Sequence, residues 1–457
     1  MNAKSEVMDP KKAKELNRWQ KLAQNKMTKT VFIILVVLAC LIRGLDEFAT
    51  TAATSLQTSI VQDLFVEGQG MEFSEGLSQL SLITTGLLVF AILATLYLTL
   101  ADRFGRKLIL AISIFGMSLG MFLIYLSPNI LVHVIGRAVL TFFIATDVHG
   151  VYVMEIAPKD KRAILISINS FFGYLSMMLV SVSRYAYTID GELIWRNVFL
   201  LPAVIGLVLT ALMIVLGKET QAFLDQRIAF LSKTEEELTN ETENKKKKQA
   251  KAGGLGKAFK YIFANRQPRM IMIAVSFQLL AVMAFYGYYE AIMTTSGMTT
   301  DQVTQALLVY PITSAVFSLL SGFIADKLGR KPAALIYSIL AFLGLIAFIF
   351  TAQRNISPYI VGLIYGLQIG CFWSFGGLIG LVFGESVPTE IRSTAIAAKG
   401  LISVVISLIA GIGISILVNF VDLATLCLVW GAVTVGISII LFSMTVKETK
   451  GVDLEQI

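Results

Sequence analysis

The sequence predicts an all-α polytopic membrane protein, with twelve transmembrane helices in two pseudo-symmetric six-helix halves. Three observations carry that expectation. Of 457 residues, 56% are apolar and 15% charged, and the mean hydropathy is +0.74, whereas soluble domains carry about 25% charged residues. The apolar excess falls in blocks long enough to cross a bilayer, which takes roughly 20 apolar residues. Two different charged turn motifs then recur, in the same order, in the two halves of the chain.

The blocks follow one another at 30–61, 78–100, 107–127, 129–156, 163–187 and 195–217. A second set lies at 269–296, 303–325, 333–352, 358–384, 394–420 and 423–446. They do not alternate with period two, which speaks against a β-barrel. The resulting division is a tail at 1–29, a six-helix half at 30–217, a polar linker at 218–268, a second half at 269–446 and a tail at 447–457. The first block starts behind Lys11, Lys12, Lys14, Arg18 and Lys21, so no cleavable signal peptide is expected. The linker passes from Glu235, Glu236 and Glu237 through Lys245–Lys248 to Gly253, Gly254 and Gly256. It is expected to be part helical and part flexible. Cys40, Cys371 and Cys427 lie inside apolar blocks and read as small buried hydrophobes.

The net charge of +7, from 38 Lys and Arg against 31 Asp and Glu, first suggests a nucleic-acid binder. An even number of spans puts both termini on one side, and 32 of the 38 cations fall in segments on that side. The opposite loops carry Asp63, Glu67, Glu72, Glu75, Asp190, Glu192, Asp301 and Asp422 against Arg196 and Arg354. This is the positive-inside distribution. Both termini are therefore expected in the cytoplasm, with the protein in the plasma membrane, and nucleic acid is excluded as a partner.

The repeated motifs are specific. Ala101-Asp102-Arg103-Phe104-Gly105-Arg106-Lys107 follows span 2, and Ala325-Asp326-Lys327-Leu328-Gly329-Arg330-Lys331 follows span 8. Glu155 to Arg162 after span 4 and Glu385 to Arg392 after span 10 share the pattern E-x-x-P-x-x-x-R. Gly permits the tight reversal between helices. The acids sit where neighbouring Arg and Lys can pair with them, Glu155 with Arg162 and Glu385 with Arg392. Such clusters at the cytoplasmic ends of helices are expected to latch and release that side, with Asp102, Arg103, Arg106, Glu155, Arg162, Asp326, Arg330, Glu385 and Arg392 as the gate. Repeated halves are a mark of secondary transporters, whose substrate site lies near the midplane between them.

On these motifs the chain, from about Thr30 to Ile457, resembles the major facilitator superfamily. The form around Glu385 and the tail Lys447-Glu448-Thr449-Lys450-Gly451 resemble its sugar-porter and organic-ion-porter branch, and Lys218-Glu219-Thr220 does so more loosely. Departures are equally visible. Leu98 stands where the first loop motif usually opens with Gly. Span 7 reads Phe277-Gln278-Leu279-Leu280, then Tyr286, Tyr288 and Tyr289, keeping one Gln and the tyrosines of the sugar porters' pattern. Span 10 lacks the branch's Pro and Trp near its cytoplasmic end and has Trp373 farther out. An organic acid or organic ion therefore stands beside a sugar as the expected solute.

Charges inside a membrane are costly, roughly 2.5–3.5 kcal/mol at the centre on insertion scales, and usually functional. Arg43, Asp46 and Glu47 in span 1 share one helical face. Arg137 lies in span 4. In proton-coupled members of the branch an Asp of span 1 in a Gly-x-Asp context pairs with an Arg of span 4, and Gly44-Leu45-Asp46 and Arg137 match those positions. The resemblance thus implies Asp46, Arg137 and Glu47 as the proton-coupling set. Asp147 and His149 lie farther along span 4, where His149 is either a proton relay or a hydrogen-bonded structural residue. His133 and Arg184 are expected at the interface. Glu290 is expected in the cavity or, preferably, at the outer gate. Lys399 either faces the cavity or snorkels. Arg43, Gln278, Tyr286, Tyr289, Gln368 and Trp373 are the expected substrate-binding residues, and Tyr365 belongs with them by spacing. The two glycine series of span 10 (Gly362, Gly366, Gly370; Gly376, Gly380, Gly384) are expected to let helices approach closely.

The function expected is secondary active transport, a proton-coupled symport of a small polar organic solute by alternating access. A non-transporting membrane solute sensor and a proton-antiport exporter are the alternatives. Protons, the solute and the lipid bilayer are the expected partners of a monomer. No enzyme activity, cofactor or metal is expected, because no nucleophile–base group or ligand cluster occurs.

Overall fold

A computed structural model describes residues 10–24, 27–144, 148–158, 162–233, 254–354, 356–388 and 391–449. Among them, ten helical stretches are long and apolar enough to cross a bilayer. Two more long helices complete the twelve. Span 1 is Lys29–Ser55, continued by Gln57–Val61, and span 5 is Arg162–Ala186. Span 1 carries Arg43, Asp46 and Glu47 in its middle.

The first half continues with span 2 (Phe73–Phe104), span 3 (Arg106–Tyr125), span 4 (Ile130–Ile144 and Val148–Ile156) and span 6 (Asn197–Leu216). The second half begins with span 7, which is Arg266–Leu280, a π-helical turn at Met283–Gly287, then Tyr289–Thr295. Span 8 is Thr300–Leu328 and span 9 Arg330–Ala352. Span 10 is Pro358–Glu385, span 11 Arg392–Leu417 and span 12 Leu423–Thr445. Thr299 and Gln302 close a capping box at the start of span 8, and Asp422 caps span 12, as short polar side chains do at orphan helix N-termini.

Several helices outrun their apolar blocks. Span 2 begins at Phe73 rather than 78 and ends at Phe104 rather than 100, since backbone hydrogen bonding continues a helix past the last apolar residue. The first tail contains a helix, Pro10–Gln24, and the linker contains Gln221–Ser232 and Gly254–Ala264. The acidic and lysine runs of the linker lie outside the described residues. A hairpin of two-residue strands, Thr188–Ile189 and Glu192–Leu193, turns at Asp190 and Gly191 between spans 5 and 6.

Apolar side chains face outward along the spans: Leu131, Val215, Leu319 and Phe323 are all at least 60% exposed. In water that surface would aggregate; in a bilayer it meets lipid. Within the second half, span 10 lies against span 8 along its first glycine series. A Cβ on Gly370 would fall 2.8 Å from the Ser314 Cα, and Cβ atoms on Gly362 and Gly366 would meet the Ala306 and Tyr310 carbonyl oxygens.

Candidate functional site: a charged cluster and an aromatic seam between the halves

The face that carries both chain ends is here the terminal face, and its opposite the far face. At the terminal face the two halves build the same turn twice. Gly105 and Gly329 take φ of +104° and +110°, values that side chains rarely adopt. Glu219 accepts the Arg106 backbone N–H at 2.9 Å and faces that of Lys107, capping span 3. Glu448 accepts the N–H groups of Arg330 and Lys331, both at 2.9 Å, capping span 9. Arg106 Nε pairs with Glu155 at 3.1 Å, and the Thr220 hydroxyl donates to the same carboxylate. Correspondingly, Arg330 pairs with Glu385 at 3.6 Å and with Asp326 at 2.9 Å, and the Thr449 hydroxyl donates to Glu385. Lys-Glu-Thr after spans 6 and 12 is thus a working part, in which Glu caps a helix and Thr completes the acid's shell. Burial pushes the Glu219 carboxyl above its ordinary value against the pull of its backbone donors.

The arginines beyond the prolines do something else than expected. Glu385 is occupied by Arg330, and Arg392 donates instead to the Val387 carbonyl at 3.1 and 3.3 Å. Arg103 is exposed and lies over the Phe104 ring at 5.3 Å. The side chains of Asp102 and Arg162, and all of Asp147, lie outside the described residues.

Midway along span 1, Arg43 is the hub of a charged cluster. It pairs with Asp46 at 3.2 Å and with Glu47, and its Nη1 lies 3.3 Å from His149 Nε2. The guanidinium can donate to Nε2 when the imidazole carries its proton on Nδ1. Arg43 thus faces both carboxylates. Span 5 contributes Gly173 here, where a Cβ would fall 3.1 Å from both Arg43 Nε and Glu47 Cγ. Arg137 is not part of the cluster. It is buried about three helical turns nearer the far face than His149, and among the described residues no bond joins it to Asp46. The cation one turn away on the same helix has taken that place. Arg43, expected to bind substrate, is engaged by this cluster.

Farther along the seam, spans 7, 8 and 10 present an aromatic group. Tyr289 stacks on Tyr365 with ring centroids 4.6 Å apart. Tyr310 packs on both, and Tyr286 on Tyr289. Trp373, 44% exposed, meets Tyr286 edge-on at 6.0 Å. The Tyr365 hydroxyl and Gln368 Oε1 are buried without a hydrogen-bond partner among the described residues. These are polar atoms that a hydroxylated or charged solute can satisfy. Gln368 also donates to the Phe285 carbonyl at 3.4 Å. Gln278 is buried beside Gly376, where a Cβ would fall 3.0 Å from its Nε2. Phe372 stacks on Phe285 at 4.4 Å and belongs to the core rather than the cavity. Lys399 reaches span 10, with Nζ 6.0 Å from the Phe383 ring centroid. Tyr310 had no sequence signal of its own: it is one tyrosine in an apolar block.

At the far face, span 7 crosses to the first half with three consecutive side chains. Tyr288 bonds Ser81 of span 2, Tyr289 bonds Ser55 at 2.6 Å and Thr54 at 3.1 Å, and Glu290 accepts from Thr58 N–H at 2.9 Å and its hydroxyl at 2.6 Å. A continuous helix would splay three neighbours over about 200°. The π-helical turn before them, and Tyr288 at φ −128°, re-aim them into one seam. Arg184, expected at the membrane interface, is fully buried here. It lies 3.6 Å from Glu290 and donates to Thr304 Oγ1 at 3.2 Å and to the Ser55 carbonyl. His133 is likewise buried, against Trp195 at 5.5 Å. Spans 2 and 11 join through Ser78 and the Ser415 carbonyl at 2.5 Å. Toward the terminal face spans 5 and 8 part around a groove of about 860 Å³, lined by Phe171, Tyr174, Leu175, Pro311, Ala315 and Leu319 among others.

Two six-helix halves, repeated charged turns and a polar seam between them define a multi-pass membrane transporter of the major facilitator fold, not an enzyme. The chain belongs to the family described as "Sugar (and other) transporter", whose sequence profile matches residues 31–457. It is 25% identical over 465 residues to a D-xylose-proton symporter-like 3, chloroplastic, of Arabidopsis thaliana, covering 93% of this chain and 81% of that protein. It is 25% identical over 325 residues to a facilitated trehalose transporter of Bombyx mori, covering 65% and 62%. Its fold superposes on the inward open conformation of the xylose transporter XylE from E. coli with a TM-score of 0.68 at 18% identity, covering 93% and 98% of the two chains.

Proposed function

We propose that the protein is a proton-coupled symporter of a small polar organic solute, sugar-like or an organic acid, working by alternating access as a monomer. The terminal face is the cytoplasmic one, and the membrane is the plasma membrane. The observation that carries this reading is the Arg43–Asp46–Glu47–His149 cluster, in which two carboxylates and an imidazole surround one guanidinium inside a membrane span. A desolvated acid takes up a proton and a neighbouring arginine opposes it, so moving Arg43 relative to Asp46 and Glu47 switches their protonation. The solute is held at the aromatic seam, by Tyr286, Tyr289 and Trp373 with Gln278 and Gln368. The relative named as a proton symporter supports coupling, and the one named as a facilitated transporter marks the uncoupled outcome.

The test is uptake into liposomes under an imposed pH gradient, screening pentoses, hexoses, disaccharides and carboxylates. Gradient-driven accumulation of one class is expected. Asp46→Asn should abolish accumulation while exchange of labelled for unlabelled solute persists. Accumulation by that variant at the parent's level would exclude Asp46 as the coupling acid.

A further inference from the structure

We infer that Arg184 and Glu290 form an outer gate, a charge pair that is matched while the far face is shut and must separate each time the transporter opens there. The inference rests on the alternating-access reading but not on coupling to protons. Both side chains are 2% exposed and come from opposite halves, span 5 and span 7. Each also bonds other segments: Arg184 holds the Ser55 carbonyl and Thr304, and Glu290 holds the backbone and side chain of Thr58. Four spans, 1, 5, 7 and 8, therefore meet at one buried pair. Opening the far face would hydrate two charges that now neutralise each other. Opposite charges kept dry are costly to bury singly, whereas a matched pair is roughly balanced against an apolar replacement. The two residues are therefore positioning residues whose coupling, not whose individual presence, sets how often the far face opens.

That distinction defines the experiment. Thr85 of span 2 is buried against Gly411 of span 11, and its hydroxyl has no hydrogen-bond partner among the described residues. A Thr85→Cys reporter in otherwise intact protein reads opening of that seam through its rate of reaction with a membrane-impermeant thiol reagent added at the far face. The native Cys40, Cys371 and Cys427 are buried, and protein without the reporter gives the background. Glu290→Gln and Arg184→Met should each raise the rate at least about tenfold, because each leaves one buried charge unpaired. The double variant Arg184→Met/Glu290→Met should return to within about threefold of the parent, since no charge remains unpaired. Arg184→Lys, which keeps the charge, should also stay near the parent.

A second reporter, Ser338→Cys, sits fully buried inside the second half and should stay unreactive throughout. Reaction at both reporters means general loosening and overturns the inference, as does a double variant that reacts as fast as the singles, or singles that react at the parent's rate. If Arg184→Met does not fold, the nearly isosteric Glu290→Gln decides the question. No solute or gradient enters the measurement, so it can succeed where symport fails and fail where symport succeeds.

Discussion

At the far face, span 7 reaches into the other half with Tyr288, Tyr289 and Glu290, and spans 2 and 11 join through Ser78 and Ser415. At the terminal face, the described acid–base contacts of the repeated turns stay within a half: Arg106 with Glu155, Arg330 with Glu385. Spans 5 and 8 follow the same gradient, bonded through Arg184 and Thr304 at one end and separated by the groove toward the other. Charged turns that look like clasps in the sequence make these contacts, in this conformation, between helices of one half. The contacts that close the molecule are made by residues with far less conspicuous spacing. A transporter that rocks about its midplane needs both kinds, one to keep the bodies rigid and one to be made and broken.

The comparison can be broken at either end. The largest effect is expected from the braces. Glu155→Gln removes a charged partner from a largely buried Arg106 and an acceptor from Thr220, and should lower stability by about 1.5–3 kcal/mol, the range for hydrogen bonds to charged groups. Glu385→Gln should cost less, since its contact with Arg330 is longer and Asp326 remains to Arg330. Thermal unfolding of the purified variants measures both, and equal losses would mean the halves are braced equally well. Neither change should alter reactivity of the Thr85→Cys reporter from the far face.

A smaller effect, in the opposite place, is expected from Tyr289→Phe. It keeps the stacking on Tyr365 but deletes the hydroxyl that joins Ser55 and Thr54, a loss of about 0.5–1.5 kcal/mol borne only by the closed far face. Reporter reactivity should rise about two- to tenfold with little change in unfolding temperature. A drop in stability without increased reactivity would place Tyr289 among the braces.

The smallest effect is outside the bilayer, where the N-terminal helix packs Trp19 on Phe223 of the linker helix at 5.4 Å and pairs Glu15 with Arg227 at 2.7 Å. The Arg227 hydrogen bond holds the Glu15 carboxyl below its ordinary value of 4.5. A depressed acid stabilises the folded contact above its unfolded pKa, and that contribution is lost as pH falls through the lower folded value. Docking of the helix should therefore weaken below about pH 4.5, by no more than about 1 kcal/mol for so exposed a pair. Limited proteolysis at the start of the chain as a function of pH measures it, and Glu15→Gln should remove the dependence.

Twelve spans, their order, the duplicated turns and the family were legible in the sequence, because a bilayer demands long apolar helices and because tight reversals between them demand Gly at fixed places beside charges. The charged cluster of span 1 was legible too, since i, i+3 and i+4 share a face on any helix. Partnership across the seam was not. Arg137 and Asp46 matched a pattern in sequence, yet the depth at which spans 1 and 4 cross puts His149, not Arg137, beside Arg43. Arg184 read as an interfacial cation because nothing local reveals that Glu290 arrives opposite it, carried there by a π-helical turn that periodicity does not report. Composition and spacing determine which segments enter the membrane. Which buried charges meet depends on helix rotation and relative depth, set by the packing of two halves hundreds of residues apart, and only the tertiary structure decided that.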